Sequence, residues 1–194
     1  MSAGEARAEF SNEQREMLLK LARDSVAYGL EHHGVMPVKL ENFSEPLRAV
    51  RATFVTLHLD GELQGCIGTL RAWQPLVEGI VRHAYAAAFE DPRGRELALD
   101  DVLRLDIHIS VLSTPEPVAF NTEDDVIRQL RPGVDGVIIS ENGRSGTLLP
   151  SVWSSLADPR AFLNHVKLKA GLPESYWSPT IEVKRYTTES FGKE

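Results

Sequence analysis

One thiol stands out as a candidate for chemistry. Cys66 is the only cysteine of the chain and lies in Leu63-Gln64-Gly65-Cys66-Ile67-Gly68-Thr69-Leu70, with Gly65 directly before it and Gly68 two positions after. Glycine within a strand gives up packing and backbone entropy, so it marks a bulge or the close approach of a ligand or another backbone. A thiol placed there is a candidate nucleophile, given a base, a cation or a helix start to favour the thiolate. A free cysteine is also a small buried hydrophobe in most folds, and that bland reading stands beside the reactive one. His83 is a candidate base on the helix that follows, or else a satisfied core histidine. Asp106 and His108 alternate on one strand face, where a carboxylate can orient an imidazole or the pair can offer two metal ligands. The remaining histidines show no zinc-binding spacing, so no metal or cofactor is expected. Arg93 and Arg95, after Asp91-Pro92, carry planar forks suited to a carboxylate or phosphate, or pair with Glu90, Asp91 or Glu96 at a solvated turn.

Other chemistries fail on spacing. Gly143-Arg144-Ser145-Gly146 is one residue short of a nucleophile elbow, no Walker loop is present, and Gly65-Cys66-Ile67-Gly68 lacks the third glycine of a dinucleotide fingerprint.

The elements that would position these groups follow from local signals. Ser11 to Gln14 is a capping box opening an amphipathic helix that carries Met17, Leu18, Leu21, Ala22, Ser25 and Tyr28, with Gly34 as its left-handed stop. Thr53–Leu59 and Glu62–Leu70 read as strands joined by Asp60-Gly61. A plain two-residue turn pairs Leu57 with Gln64 and Val55 with Cys66, which places the thiol on the face of Val55 and Leu57 and sends Phe54 and Ile67 to the other. Pro75 opens a helix that runs to about Phe89 and stops at Asp91-Pro92. Leu105–Leu112 alternates as a strand. Thr122 caps a short acidic-fronted helix, and Val137–Ser140 and Ser145–Leu149 form a second hairpin around Asn142-Gly143. A helix through Ala161, Phe162, His165 and Leu168 stops at Gly171, and a last strand covers Thr180–Tyr186. Trp73, Trp153 and Trp177 either line a cleft or plug the core edge, with plugging the default. Hairpins interleaved with helices argue for an α+β fold with a mainly antiparallel sheet.

Composition sets the outer limits. The chain has 194 residues, 42% hydrophobic and 25% charged, which suits one compact unit. A net charge of −7 gives no basic field for nucleic acid or an anionic membrane. Met1 to Phe10 lacks an apolar export segment and no long apolar run follows, so a cytoplasmic protein without membrane attachment is expected. Sequence leaves the oligomeric state open.

Several segments together resemble the AMMECR domain family, also called AmmeMemoRadiSam system protein A. They are Leu63 to Thr69, Ala88-Phe89-Glu90-Asp91-Pro92-Arg93, Ile107 to Leu112, Gly133 to Val137 and Gly146 to Pro150, continued by Phe162-Leu163, Lys169 to Leu172 and Trp177. The resemblance covers nearly the whole chain and implies a single two-lobed α+β domain over 1–194, with the glycine-flanked cysteine at its functional cleft. It implies work beside a Memo-type protein and a radical S-adenosylmethionine enzyme in a modification pathway. Four positions depart from the family pattern. Gln64 stands where arginine is common, Gly94 where phenylalanine is usual, His108 where glutamate is usual, and Lys167 where cysteine is frequent. On this reading Cys66, His108 and His83 are the catalytic candidates, while Gln64, Gly65, Gly68, Arg93 and Asp106 contact substrate. The alternative is a non-catalytic module that receives a peptide or protein loop on the same Gly65–Gly68 backbone.

Overall fold

Two tight hairpins organise the chain. Asp60 and Gly61 both take positive φ (55° and 85°), as do Asn142 and Gly143 (48° and 77°), which is the backbone twist that returns one strand onto the next. In the computed structural model, which describes residues 9–193, the elements in order are α1 (Asn12–His32), α2 (Glu45–Arg48), β1 (Thr53–Leu59), β2 (Glu62–Gly68), α3 (Leu76–Phe89), β3 (Leu105–Leu112), β4 (Glu116–Pro117), α4 (Glu123–Gln129), β5 (Gly136–Glu141), β6 (Arg144–Leu148), α5 (Pro159–Lys169), β7 (Glu182–Tyr186) and β8 (Thr188–Gly192), with short 3-10 turns between. The fold is α+β with two antiparallel sheets. Among the described residues no helix is long and apolar enough to cross a membrane. Most of the Met1–Phe10 stretch lies outside the described residues.

The chain divides into two compact units, one running through Leu112 and resuming at Glu189, the other Ser113–Thr188. In the first, the sheet order is β2-β1-β3-β8. One face packs under α1 and α3, which bury Val55, Leu57 and Leu59 of β1 and Ile107, Ile109 and Val111 of β3 against Leu18, Ala22, Val26, Ile80 and Ala84. Each such aliphatic side chain contributes about 1.5–3 kcal/mol on burial. The second unit has the order β4-β7-β5-β6 with α4 and α5, and a core of Val137, Ile139, Phe162 and Val166 in which Trp153 stacks flat on Phe162 at 3.8 Å.

Three local expectations are corrected and one strand is added. The left-handed residue ending α1 is His33 (φ 53°), not Gly34, and its N–H donates to the Gly29 carbonyl at 2.9 Å. Histidine tolerates that conformation better than most side chains, so the glycine is not needed. The hairpin register also differs. Leu59 faces Glu62 and His58 faces Leu63, but Leu57 then faces Gly65 and Thr56 faces Cys66, so Gln64 is the extra residue of a bulge. That single insertion moves Cys66 off the Val55 and Leu57 face and onto the face of Thr56, and it exchanges the sides expected for Ile67 relative to Phe54. Trp73 is 64% exposed rather than a core plug, although Trp153 is buried. Finally, β8 was not legible as a strand, and it closes the first sheet beside β3.

The glycines of β2 are explained by close packing. A methyl on Gly65 would overlap the Ala87 carbonyl oxygen at the end of α3, and one on Gly68 would overlap the Phe54 ring and the Thr53 carbonyl oxygen. Gly34 has only the His32 carbonyl oxygen near, at 3.9 Å. Gly65→Ala is therefore expected to cost about 3 kcal/mol of unfolding free energy, whereas Gly34→Ala changes it by less than about 0.5 kcal/mol. Urea denaturation of the two variants checks both.

Candidate functional site

The face of the first sheet turned away from α1 and α3 carries most of the polar side chains. Cross-strand pairing lines up Cys66 of β2, Thr56 of β1 and His108 of β3 in one row, and Leu63, His58 and Asp106 in the next. Cys66, Thr56, His58, Asp106 and His108 are all half-buried. The Thr56 hydroxyl donates to the Cys66 sulfur at 3.1 Å. Asp106 pairs with Lys193 at 3.0 Å. The Nδ1 of His58 is buried without a hydrogen-bond partner. Among the described residues no group of three or more His, Cys, Asp and Glu side chains is arranged to hold a metal ion.

Cys66 is held in place through its backbone. β2 is an edge strand, and its outward N–H at Cys66 donates to Asp91 Oδ2 at 2.9 Å instead of to a neighbouring strand. Asp91 follows directly on the end of α3. Its Oδ1 accepts from the Arg93 backbone N–H (3.0 Å) and Nε (2.9 Å), and its Oδ2 also accepts from Arg93 Nη2 (2.6 Å). The same Nη2 reaches the Cys66 carbonyl oxygen at 3.5 Å. The Asp91 side chain is 2% exposed while Arg93 remains 56% exposed. The Arg93 hydrogen bonds, followed by the Cys66 N–H, hold the Asp91 carboxyl well below the usual carboxylate range. Asp91 in turn raises the Arg93 guanidinium above its usual value, so both groups stay charged.

The other expected site residues fall in three places. Gln64 is buried, and its amide clamps the Arg95 backbone, donating to the carbonyl at 2.7 Å and accepting from the N–H at 3.3 Å. Gly65 and Gly68 are packing positions, as described above. His83 lies on the opposite face of the sheet from Cys66, buried between α3 and β1, with Nδ1 2.8 Å from the Thr53 hydroxyl. Burial, with a smaller push from the charge of Arg82, lowers its pKa from 6.5 to about 4. The structure thus brings Cys66 together with Arg93 on one side and with His108 and Asp106 along the same face, and separates His83 from them. Thr56 and Asp91 were not singled out as site residues. The bulge hid Thr56, and Asp91 reads in the sequence as a helix stop and a surface partner for Arg93, not as the acceptor of the Cys66 N–H.

A half-buried thiol with a hydroxyl donor on its sulfur and an exposed guanidinium beside its carbonyl defines a thiol and cation surface on an α+β sheet. The chain belongs to the AMMECR1 family, whose profile matches residues 19–191. A protein of Methanothermobacter thermautotrophicus is 32% identical over 190 residues, covering 96% of this chain and 98% of that relative. One of Thermotoga maritima is 38% identical over 154 residues, covering 78% of this chain and 83% of the relative. The crystal structure of an uncharacterized protein of Pyrococcus horikoshii superposes with a TM-score of 0.78 at 30% identity, covering 96% of this chain and 95% of that one.

Two outcomes follow from the geometry. Asp91→Asn replaces an acceptor by a donor facing Cys66 and Arg93, and is expected to lower stability by about 1–3 kcal/mol and to speed amide exchange at Cys66. Hydrogen-exchange mass spectrometry checks the second effect. His83 is neutral in the fold down to about pH 4, whereas the unfolded chain protonates near 6.5, so its contribution is full above that value and declines as pH falls between the two. Denaturation of the native protein at pH 7.5 and 4.5 is expected to show a drop that His83→Gln reduces by up to about 3 kcal/mol.

Proposed function

We propose that this AMMECR1-family chain is a cytoplasmic component of a modification pathway, working beside a Memo-type protein and a radical S-adenosylmethionine enzyme. Its working surface is the sheet face at Cys66. In this reading Cys66 supplies the thiol that contacts substrate or partner, Thr56 holds the sulfur, and Arg93 anchors an anionic group next to it. His108 and Asp106 shape the far end of the same face. The observation that carries the reading is the convergence of a half-buried sulfur, a donor hydroxyl and an exposed guanidinium on a strand whose backbone is already fixed. The outward N–H of Cys66 is taken by Asp91 and its carbonyl is reached by Arg93, which speaks for contact through side chains over the addition of a peptide strand at this edge.

With a single cysteine, alkylation reports on the site directly. The native protein is expected to react at Cys66 with both iodoacetamide and the anionic iodoacetate. Arg93→Gln is expected to lower the iodoacetate rate relative to iodoacetamide by at least about threefold. A sulfur that reacts only after unfolding, or a ratio unmoved by Arg93→Gln, would overturn the assignment. Co-purification of the three proteins, tested with Cys66→Ser and Arg93→Gln in place of the native chain, tests the pathway.

A further inference from the structure

The ends of α1 and α3 and the loop after α3, Asp91 among them, line a half-open pocket of about 440 Å³. That volume lies within the range of small-molecule sites, and the cavity lies wholly within the first unit. Two aromatic side chains line it. Tyr85 and Phe89 lie 4.9 Å apart at 50°, and Phe89 occupies the space that a side chain at Gly29 would need. The wall carrying Arg95 is fixed in advance, because Gln64 clamps the Arg95 backbone and Asp91 accepts the Gly94 N–H at 3.2 Å through its carbonyl.

The charges around the cavity are unequally satisfied. Asp91 is saturated by Arg93 and Cys66. Arg95 is half-exposed, and its acidic neighbours are Asp101 at 3.5 Å and Asp60 at 3.9 Å. Both already belong to Arg104, which holds Asp60 at 2.8 and 2.9 Å and Asp101 more closely still. Arg95 lines the same pocket, and because its two acidic partners are shared with Arg104 its guanidinium keeps donors in reserve. His33 and Glu96 line the pocket as well.

We propose that this cavity binds a small planar organic anion, its ring on Tyr85 and Phe89 and its carboxylate or phosphate on the Arg95 fork. The proposal does not depend on reactivity of Cys66, because its readout is binding. Titration of the native protein by NMR with benzoate and with phenyl phosphate is expected to give saturable binding, with contacts between the bound ring and the Tyr85 ring protons. The tighter of the two identifies the anionic group. Arg95→Gln, on the surface, is expected to keep the melting temperature and to weaken binding about tenfold or more. Absence of saturable binding for both compounds would overturn the proposal. So would equal binding of neutral benzyl alcohol, contacts that bypass Tyr85, or affinity unchanged by Arg95→Gln.

Discussion

The Asp91 carboxylate is the interaction on which the site depends. An ionised side chain removed from water is costly unless its oxygens are filled, and Asp91 is filled by donors from two directions, the Cys66 N–H and the Arg93 side chain and backbone. This arrangement does two jobs. It covers an edge-strand N–H that would otherwise template pairing with another chain, and it ties the end of α3 to the strand bearing the thiol. Arg93 is held by the same bonds, so its exposed guanidinium faces outward beside Cys66 with its position already set.

The path of β2 explains why the thiol faces where it does. The glycines on either side of Cys66 admit another backbone: Gly65 lets the strand lie against the Ala87 carbonyl, and Gly68 lies against Phe54 and Thr53. What turns the sulfur away from the aliphatic core is the bulge at Gln64. A strand repeats every two residues, so one inserted residue reverses the face of everything beyond it. Without it Cys66 would join Val55 and Leu57, both fully buried under the helices. With it the thiol joins Thr56 and His108.

Elements defined by local chemistry were legible in the sequence. The Ser11 capping box, the Thr122 cap, the Asp60-Gly61 and Asn142-Gly143 turns, and the alternation of Leu105–Leu112 all appear where their residue types place them. The misses come from tertiary contacts. The bulge at Gln64 is stabilised by its amide reaching Arg95, thirty-one positions away, which no window around the hairpin contains. Likewise β8 becomes a strand by pairing with β3, and Trp73 lies outside the core although its residue type favours burial. Of the site, Cys66, Arg93 and the Asp106–His108 face could be named from type and spacing. Asp91 and Thr56 acquire their roles only once α3 and β1 are packed against β2.

Gln64 and Gly94, both singled out in the sequence, are neighbours in the structure. Any side chain at Gly94 would overlap the Gln64 carbonyl oxygen and crowd its amide. Gln64 in turn spends both ends of that amide on the Arg95 backbone. A larger residue at 94 therefore requires the loop to leave Gln64, and a longer charged residue at 64 would have to find another partner for its buried head. The neutral amide and the glycine are mutually consistent, and together they let the loop close tightly over β2. The consequence for the site is electrostatic. With no charge at position 64, the positive charge beside Cys66 is supplied from the loop, by the exposed guanidinium of Arg93 that Asp91 fixes in place.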